Sequence, residues 1–321
     1  MKTIRIGTRT SALARKQTEL VMEIIREQYQ DIAFEVIPLK TKGDQMLQTS
    51  LAEFGGKGAF VTEFEEALLD GRIDLAVHSA KDLPVELGEG LDLWMTLQRA
   101  DARDVLLTRK NETREPDQKY PMHIGTSSPR RQLQIEQLFP CKCSLLRGNV
   151  PTRIEKLRQG QYDGILLAAA GFKRLGLDQE EDIEYRYLST EEMIPAGGQG
   201  IIAVEGRKDH EYRELFSTLG DSAAKMELEV ERYILERLQA GCHEPVGVFS
   251  KITDRITDSI TDPIEGLSLD QGDMEKSGQI ELWLLLERNG HPQKGYIAGA
   301  VEERFLLADQ LIREVRTDAE E

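Results

Sequence analysis

The sequence predicts an α/β protein of three domains, two α/β units followed by a smaller C-terminal α/β domain. Three observations carry this. Short apolar runs alternate with helical stretches, the order expected of strands joined by crossover helices and hence of parallel sheets. The alternation restarts near Val105, as a second unit would. The length of 321 residues suits two domains of about 150 residues or three smaller ones.

Taken in order, Thr3 to Thr8 reads as a strand, Ser11 to Tyr29 as a helix and Phe34 to Leu39 as a strand. Thr62 to Asp70 follows as a helix, and Leu75-Ala76-Val77 as a short buried strand. Between them, Thr41 to Gly58 is a long glycine-rich connection. It lacks the G-K-[ST] ending of a phosphate-binding loop, and its length suits a lid. In the second series His123-Ile124-Gly125 is a strand, Pro129 to Leu138 a helix, and Ser144 to Leu146 a strand. Thr152 to Gln159 returns as helix and Gly164 to Ala169 as strand. Pro195 to Gly200 breaks the pattern, which Ile201 to Glu205 resumes. A long helix then runs from Ser222 to Gln239, followed by a Gly-Cys loop, strands and a last helix from Val301 to Val315. The expected domains are 1–100 with a return segment at about 200–218, 101–199, and 219–321. Ile252 to Lys276 carries seven acidic and two basic residues, a net −5, and is expected as an exposed loop or irregular hairpin.

Hydrophobic residues make up 40% and charged residues 31%, which supplies packed cores and argues against disorder. With 41 basic and 57 acidic residues the net charge is −16. That balance disfavours a nucleic-acid partner, although a local basic cleft is compatible with it. No window approaches ~18 consecutive apolar residues, so no membrane-spanning helix is expected. Cys141 and Cys143 stand too close for a zinc pair and no second pair follows, so no metal site is expected. With no secretory signal at its start, the chain reads as reduced, soluble and cytoplasmic.

One echo stands out. Ile6-Gly7-Thr8-Arg9-Thr10-Ser11 and Ile124-Gly125-Thr126-Ser127-Ser128-Pro129 both run from strand through Gly-Thr and hydroxyl residues into a helix. Each is compatible with an ordinary capped helix; together they suggest paired anion sites facing one cleft. Arg9, Arg130, Arg131, Arg147 and Arg153 fall in loops or helix starts beside strand ends. Guanidinium groups grip carboxylates in a two-pronged fork, so their clustering in an acidic chain suggests a polyanionic ligand. Asp82, in His78-Ser79-Ala80-Lys81-Asp82-Leu83-Pro84, follows a buried strand, where α/β folds place ligands. On local sequence alone the favoured reading is a turn aspartate before a proline-bounded loop. Cys242 is either a small buried hydrophobe at a helix end or a nucleophile and attachment point.

These segments together resemble the porphobilinogen deaminase (hydroxymethylbilane synthase) family over nearly the whole chain. The matching residues are Gly7-Thr8-Arg9 with Ser11, Gly55-Gly56-Lys57-Gly58, and His78 to Pro84. Gly125-Thr126-Ser127-Ser128-Pro129-Arg130-Arg131, Arg147-Gly148-Asn149-Val150 with Thr152-Arg153, Gly198-Gln199-Gly200 and Gly241-Cys242 complete the set.

The resemblance implies two domains like a type II periplasmic binding protein and a third bearing a dipyrromethane cofactor. That cofactor would be bonded as a thioether to Cys242. It implies a monomeric transferase that joins four porphobilinogen molecules head to tail, releasing ammonia and linear hydroxymethylbilane. By the same resemblance Lys81, Asp82, Thr126, Ser128, Arg130 and Arg131 hold the cofactor. Arg9, Ser11, Gln17, Lys57, Arg147 and Arg153 hold the incoming substrate. Asp82 is the expected catalytic group, with Arg9, because loss of ammonia leaves a pyrrolic cation that a fixed carboxylate stabilises. Glu53 departs from the family, which often has a basic residue there, and the acidic stretch looks like an insertion. A non-catalytic anion-binding module and a cysteine hydrolase are the rival readings.

Overall fold

A computed structural model describes residues 2–41, 61–110, 121–240, 244–253 and 278–317. Lys57, Glu53, Cys242, nearly all of the Thr41–Gly58 connection and most of the Ile252–Lys276 stretch lie outside the described residues.

The first lobe is a sheet of order β2-β1-β3-β10-β4, from β1 (Lys2–Arg9), β2 (Ile32–Leu39), β3 (Leu75–Ser79), β4 (Leu91–Thr96) and β10 (Ile202–Arg207). Helices α1 (Ala12–Gln28) and α2 (Thr62–Leu69) cover it. The second lobe has order β7-β6-β8-β5-β9: β5 (Asp104–Arg109), β6 (Met122–Gly125), β7 (Cys141–Ser144), β8 (Gly164–Ala168) and β9 (Ile183–Tyr187). Its helices are α3 (Pro129–Leu138), α4 (Val150–Arg158) and α5 (Ala169–Arg174). The short α6 (Arg213–Ser217) returns to the first lobe, packed on β4.

The two lobes share one plan. β1 and β6 each lie centrally between two parallel neighbours. Each leads into a helix capped by a serine: Ser11 accepts from Ala14 N at 3.2 Å, and Ser128 from Arg131 N at 3.4 Å. The echoed glycines have one cause. A Cβ on Gly7 would come within 2.5 Å of Ile73, and one on Gly125 within 2.9 Å of Tyr162.

The expectation of parallel sheets is corrected in part, because β10 runs antiparallel to β3 and β4, and β5 antiparallel to β8 and β9. The chain crosses between the lobes twice, after β4 and after β9. Each crossing delivers a strand that enters from the cleft end: Ile202 starts opposite Ser79, and Asp104 opposite Ala168. The strand expected at Ser144 to Leu146 is instead Cys141–Ser144, and the last helix begins at Arg304, after a 3-10 turn at Val301–Glu303. β4, β9, α5 and α6 were not anticipated.

The third unit is an antiparallel sheet of β11 (Gly247–Thr253), β12 (Gln279–Arg288) and β13 (His291–Ala300). α7 (Ser222–Leu238) and α8 (Arg304–Thr317) pack on it through Val230, Ile234, Leu282, Leu284 and Leu311. Glu231 of α7 is fully buried and joins this unit to both crossings. It accepts from both terminal nitrogens of Arg99 at 2.8 Å, from Gly198 N at 2.6 Å and from Ser250 N at 2.7 Å. Burial opposes the Arg99 charge, but Glu231 outweighs it and holds the guanidinium above its ordinary pKa. Removing one partner of such a pair strands a buried charge at about 3–5 kcal/mol. Glu231→Leu is therefore expected to lower the urea midpoint of unfolding by that much in stability. An unchanged midpoint would show that the pair holds nothing together.

Candidate active site

The carboxyl ends of the parallel strands in both lobes meet at one cleft, and most of the predicted residues gather there. From the first lobe, β1 ends at Arg9, which is half-buried. Gln17 of α1 is buried and donates to Ser79 Oγ at 2.8 Å, tying the helix to the end of β3. β3 then passes into a 3-10 turn, Ala80–Asp82. Buried Ala80 and Leu83 anchor this turn, and Ala80 N donates to Ile201 O at 3.0 Å. Between those anchors the Asp82 side chain is exposed to the cleft on a fixed base.

From the second lobe, Thr126 closes β6 and its hydroxyl accepts from Ser128 N at 3.2 Å. Arg147 and Arg153 flank Gly148, whose φ of +118° is one that side chains rarely adopt. The Arg153 Nε donates to Gly148 O at 2.7 Å, and Asn149 caps α4 by accepting from Thr152 N at 3.0 Å.

Arg130 and Arg131 are buried, at 3% and 7% exposure. Both bind a carboxylate that sequence reasoning missed, Asp104, which is fully buried. Arg130 Nη1 reaches Asp104 Oδ2 at 2.7 Å, and Arg131 Nη2 reaches Asp104 Oδ1 at 2.8 Å. Burial alone would raise the Asp104 pKa, but Arg130 and Arg131 hold it well below the usual carboxylate range. Gln199, quoted in a motif but given no role, adds a hydrogen bond to Asp104 Oδ1 at 2.9 Å. Its oxygen accepts from Lys81 Nζ at 3.3 Å.

The cleft is crowded with positive charge. Burial first, and then the charge of Arg131, push Lys81 down to about 8, against the opposing pull of Asp82 and Asp104. Burial, then Arg131 and Arg147, push Arg153 down to about 10, with Asp82 again opposing. Lys81, Asp82, Arg131, Arg147 and Arg153 therefore act on one another electrostatically across the two lobes. Cations forced so close, facing one exposed carboxylate, suit a ligand that carries several carboxylates. Among the described residues no cluster of His, Cys, Asp and Glu could hold a metal ion.

Comparison with known proteins agrees with this chemistry. Residues 4–214 match the family described as "Porphobilinogen deaminase, dipyromethane cofactor binding domain". The porphobilinogen deaminase of Exiguobacterium sibiricum is 44% identical over 256 residues, 79% of this chain and 82% of that protein. That of Clostridium acetobutylicum is 36% identical over 316 residues, 98% of this chain and 99% of that protein. Among solved structures, the substrate binding domain of a putative molybdenum ABC transporter from Clostridium difficile gives a TM-score of 0.42 at 10% identity. The likeness spans 72% of this chain and 97% of that one. The chain belongs to the porphobilinogen deaminase family.

Proposed function

We propose that Asp82 is the group that stabilises charge and moves protons at the reacting carbon, while Cys242 anchors the product as it grows. As a family member the chain is a transferase of tetrapyrrole biosynthesis. It deaminates and polymerises four porphobilinogen molecules head to tail, with dipyrromethane as its cofactor, and releases ammonia and linear hydroxymethylbilane. When bound, the dipyrromethane would supply the free pyrrole carbon that the first unit joins, and so prime the chain.

The single observation that carries the reading is the placement of Asp82: one exposed carboxylate, on an anchored turn, among cations from both lobes. Ammonia departure leaves positive charge on a pyrrole methylene. A carboxylate fixed beforehand stabilises that charge without having to reorganise. The same carboxylate hands a proton to the leaving amine and takes one from the condensing carbon. We assign Lys81, Thr126, Ser128, Arg130 and Arg131 to the cofactor's carboxylates. Arg9, Ser11, Gln17, Lys57, Arg147 and Arg153 we assign to those of the incoming unit. α7 ends at Leu238, and Gln239 caps it at φ +56°, turning the chain towards Gly241-Cys242. Among the described residues no helix is long and apolar enough to cross a membrane. We propose a cytoplasmic monomer without a nucleic-acid partner, a reading that the net charge of −16 supports.

Two outcomes are expected. Asp82→Asn keeps its melting temperature while turnover falls by roughly three orders of magnitude or more, corresponding to about 4 kcal/mol of lost transition-state stabilisation. Retention of a tenth or more of the rate removes Asp82 from this role. In intact-mass measurements the purified wild-type chain carries the mass of an added dipyrromethane and Cys242→Ser does not. A wild-type chain that is active without the added mass contradicts the anchor.

A further inference from the structure

Gln199 lies where the second crossing meets the cleft and is 1% exposed. Its Nε2 donates to Ala102 O at 2.7 Å and to Asp104 Oδ1 at 2.9 Å, so both amide hydrogens are engaged. Its Oε1 accepts from Lys81 Nζ at 3.3 Å. The reversed amide would set an NH2 group against an ammonium and an oxygen against a carbonyl and a carboxylate. The network therefore fixes the orientation. The neighbours leave no slack. Gly198 has φ +75°, and a Cβ there would come within 2.9 Å of the Ala80 and Lys81 backbone. Gly200 has φ +92°, and a Cβ there would come within 2.6 Å of Ala100 O.

We infer that Gln199 is a positioning residue for the reaction: its carboxamide couples the Lys81–Asp82 turn of the first lobe to the Asp104–Arg131 cluster of the second, and keeps Lys81 charged for carboxylate binding. This rests on the roles proposed above for Lys81 and Asp82. Among the described residues, the charged groups that act most strongly on Lys81 are Arg131, Asp82, Asp104 and Arg130. Burial and the two guanidinium groups favour loss of its proton; the two carboxylates and the Gln199 oxygen favour keeping it. A side chain with no acceptor at position 199 therefore makes Lys81 lose its proton at lower pH. One that keeps an acceptor of the same size does not.

The test is competitive acetylation of Lys81 in the cofactor-loaded enzyme, read by peptide mass from about pH 6 to about pH 11, beside the pH profile of turnover. Gln199→Met is expected to lower the Lys81 midpoint by about half a pH unit or more, and to move the alkaline limb of turnover the same way. Gln199→Glu retains or raises the midpoint, and it decides the matter if the methionine variant does not fold. A Lys81 midpoint unmoved in Gln199→Met, or lowered in Gln199→Glu, overturns the inference. A shifted midpoint with an unmoved activity limb leaves the Gln199 contact standing and overturns the role given to Lys81.

Discussion

The buried carboxylate of Asp104 is the contact on which the cleft depends. Two guanidinium groups from the start of α3 and one carboxamide from the second crossing converge on it. Charges this deep are tolerated only when nearly every donor is met. Here Arg130 also reaches Ile194 O at 2.7 Å, and Arg131 reaches Leu166 O at 3.1 Å. The result is a rigid wall whose residual positive charge is felt by Lys81 and Arg153. Asp82 thus sits beside fixed cations rather than flexible surface ones, and in the role proposed for it that is the condition under which electrostatic stabilisation is effective.

An acidic chain with a basic cleft is consistent once charge is treated as local. The net −16 is spread over the whole chain, while arginines gather where the strands of both lobes end. Because the second crossing carries Gly198, whose N–H binds Glu231 of α7, and Gln199, which binds Asp104, the cleft and the third unit are tied to adjacent residues. The role proposed for Asp82 calls for such a frame, because a lengthening product would have to present each reacting carbon to one stationary carboxylate in the same geometry.

Much of this was legible in the sequence, for identifiable reasons. α1 and α3 were bounded within a residue because Ser11 and Ser128 are strong caps and Pro129 suits the first helical position. The Gly-Thr echo was visible because close packing against Ile73 and Tyr162 favours glycine at both positions, a larger residue requiring those side chains to shift. β9 was missed because Glu184, Tyr185 and Arg186 are exposed, leaving no apolar period to read. β7 was displaced because Leu145 and Leu146 outweigh Cys141-Lys142-Cys143 in hydrophobicity, yet Leu145 is 53% exposed. The antiparallel strands could not be inferred locally, since direction is set by how the chain re-enters after crossing between lobes. Arg130 and Arg131 were visible as cations, but not the acid that binds them. Asp104, in Asp101-Ala102-Arg103-Asp104, looks like any charged linker residue, and only its place before the apolar run Val105-Leu106-Leu107 hinted at burial.

The most direct measurement is a pre-steady-state mass series on Asp82→Glu, resolving the enzyme with one, two, three and four added pyrrole units. If one carboxylate serves every condensation, displacing it by a methylene slows all four additions by a common factor. A series in which the first addition alone is slowed, and the later ones proceed at wild-type rates, would mean that other groups take over as the chain grows.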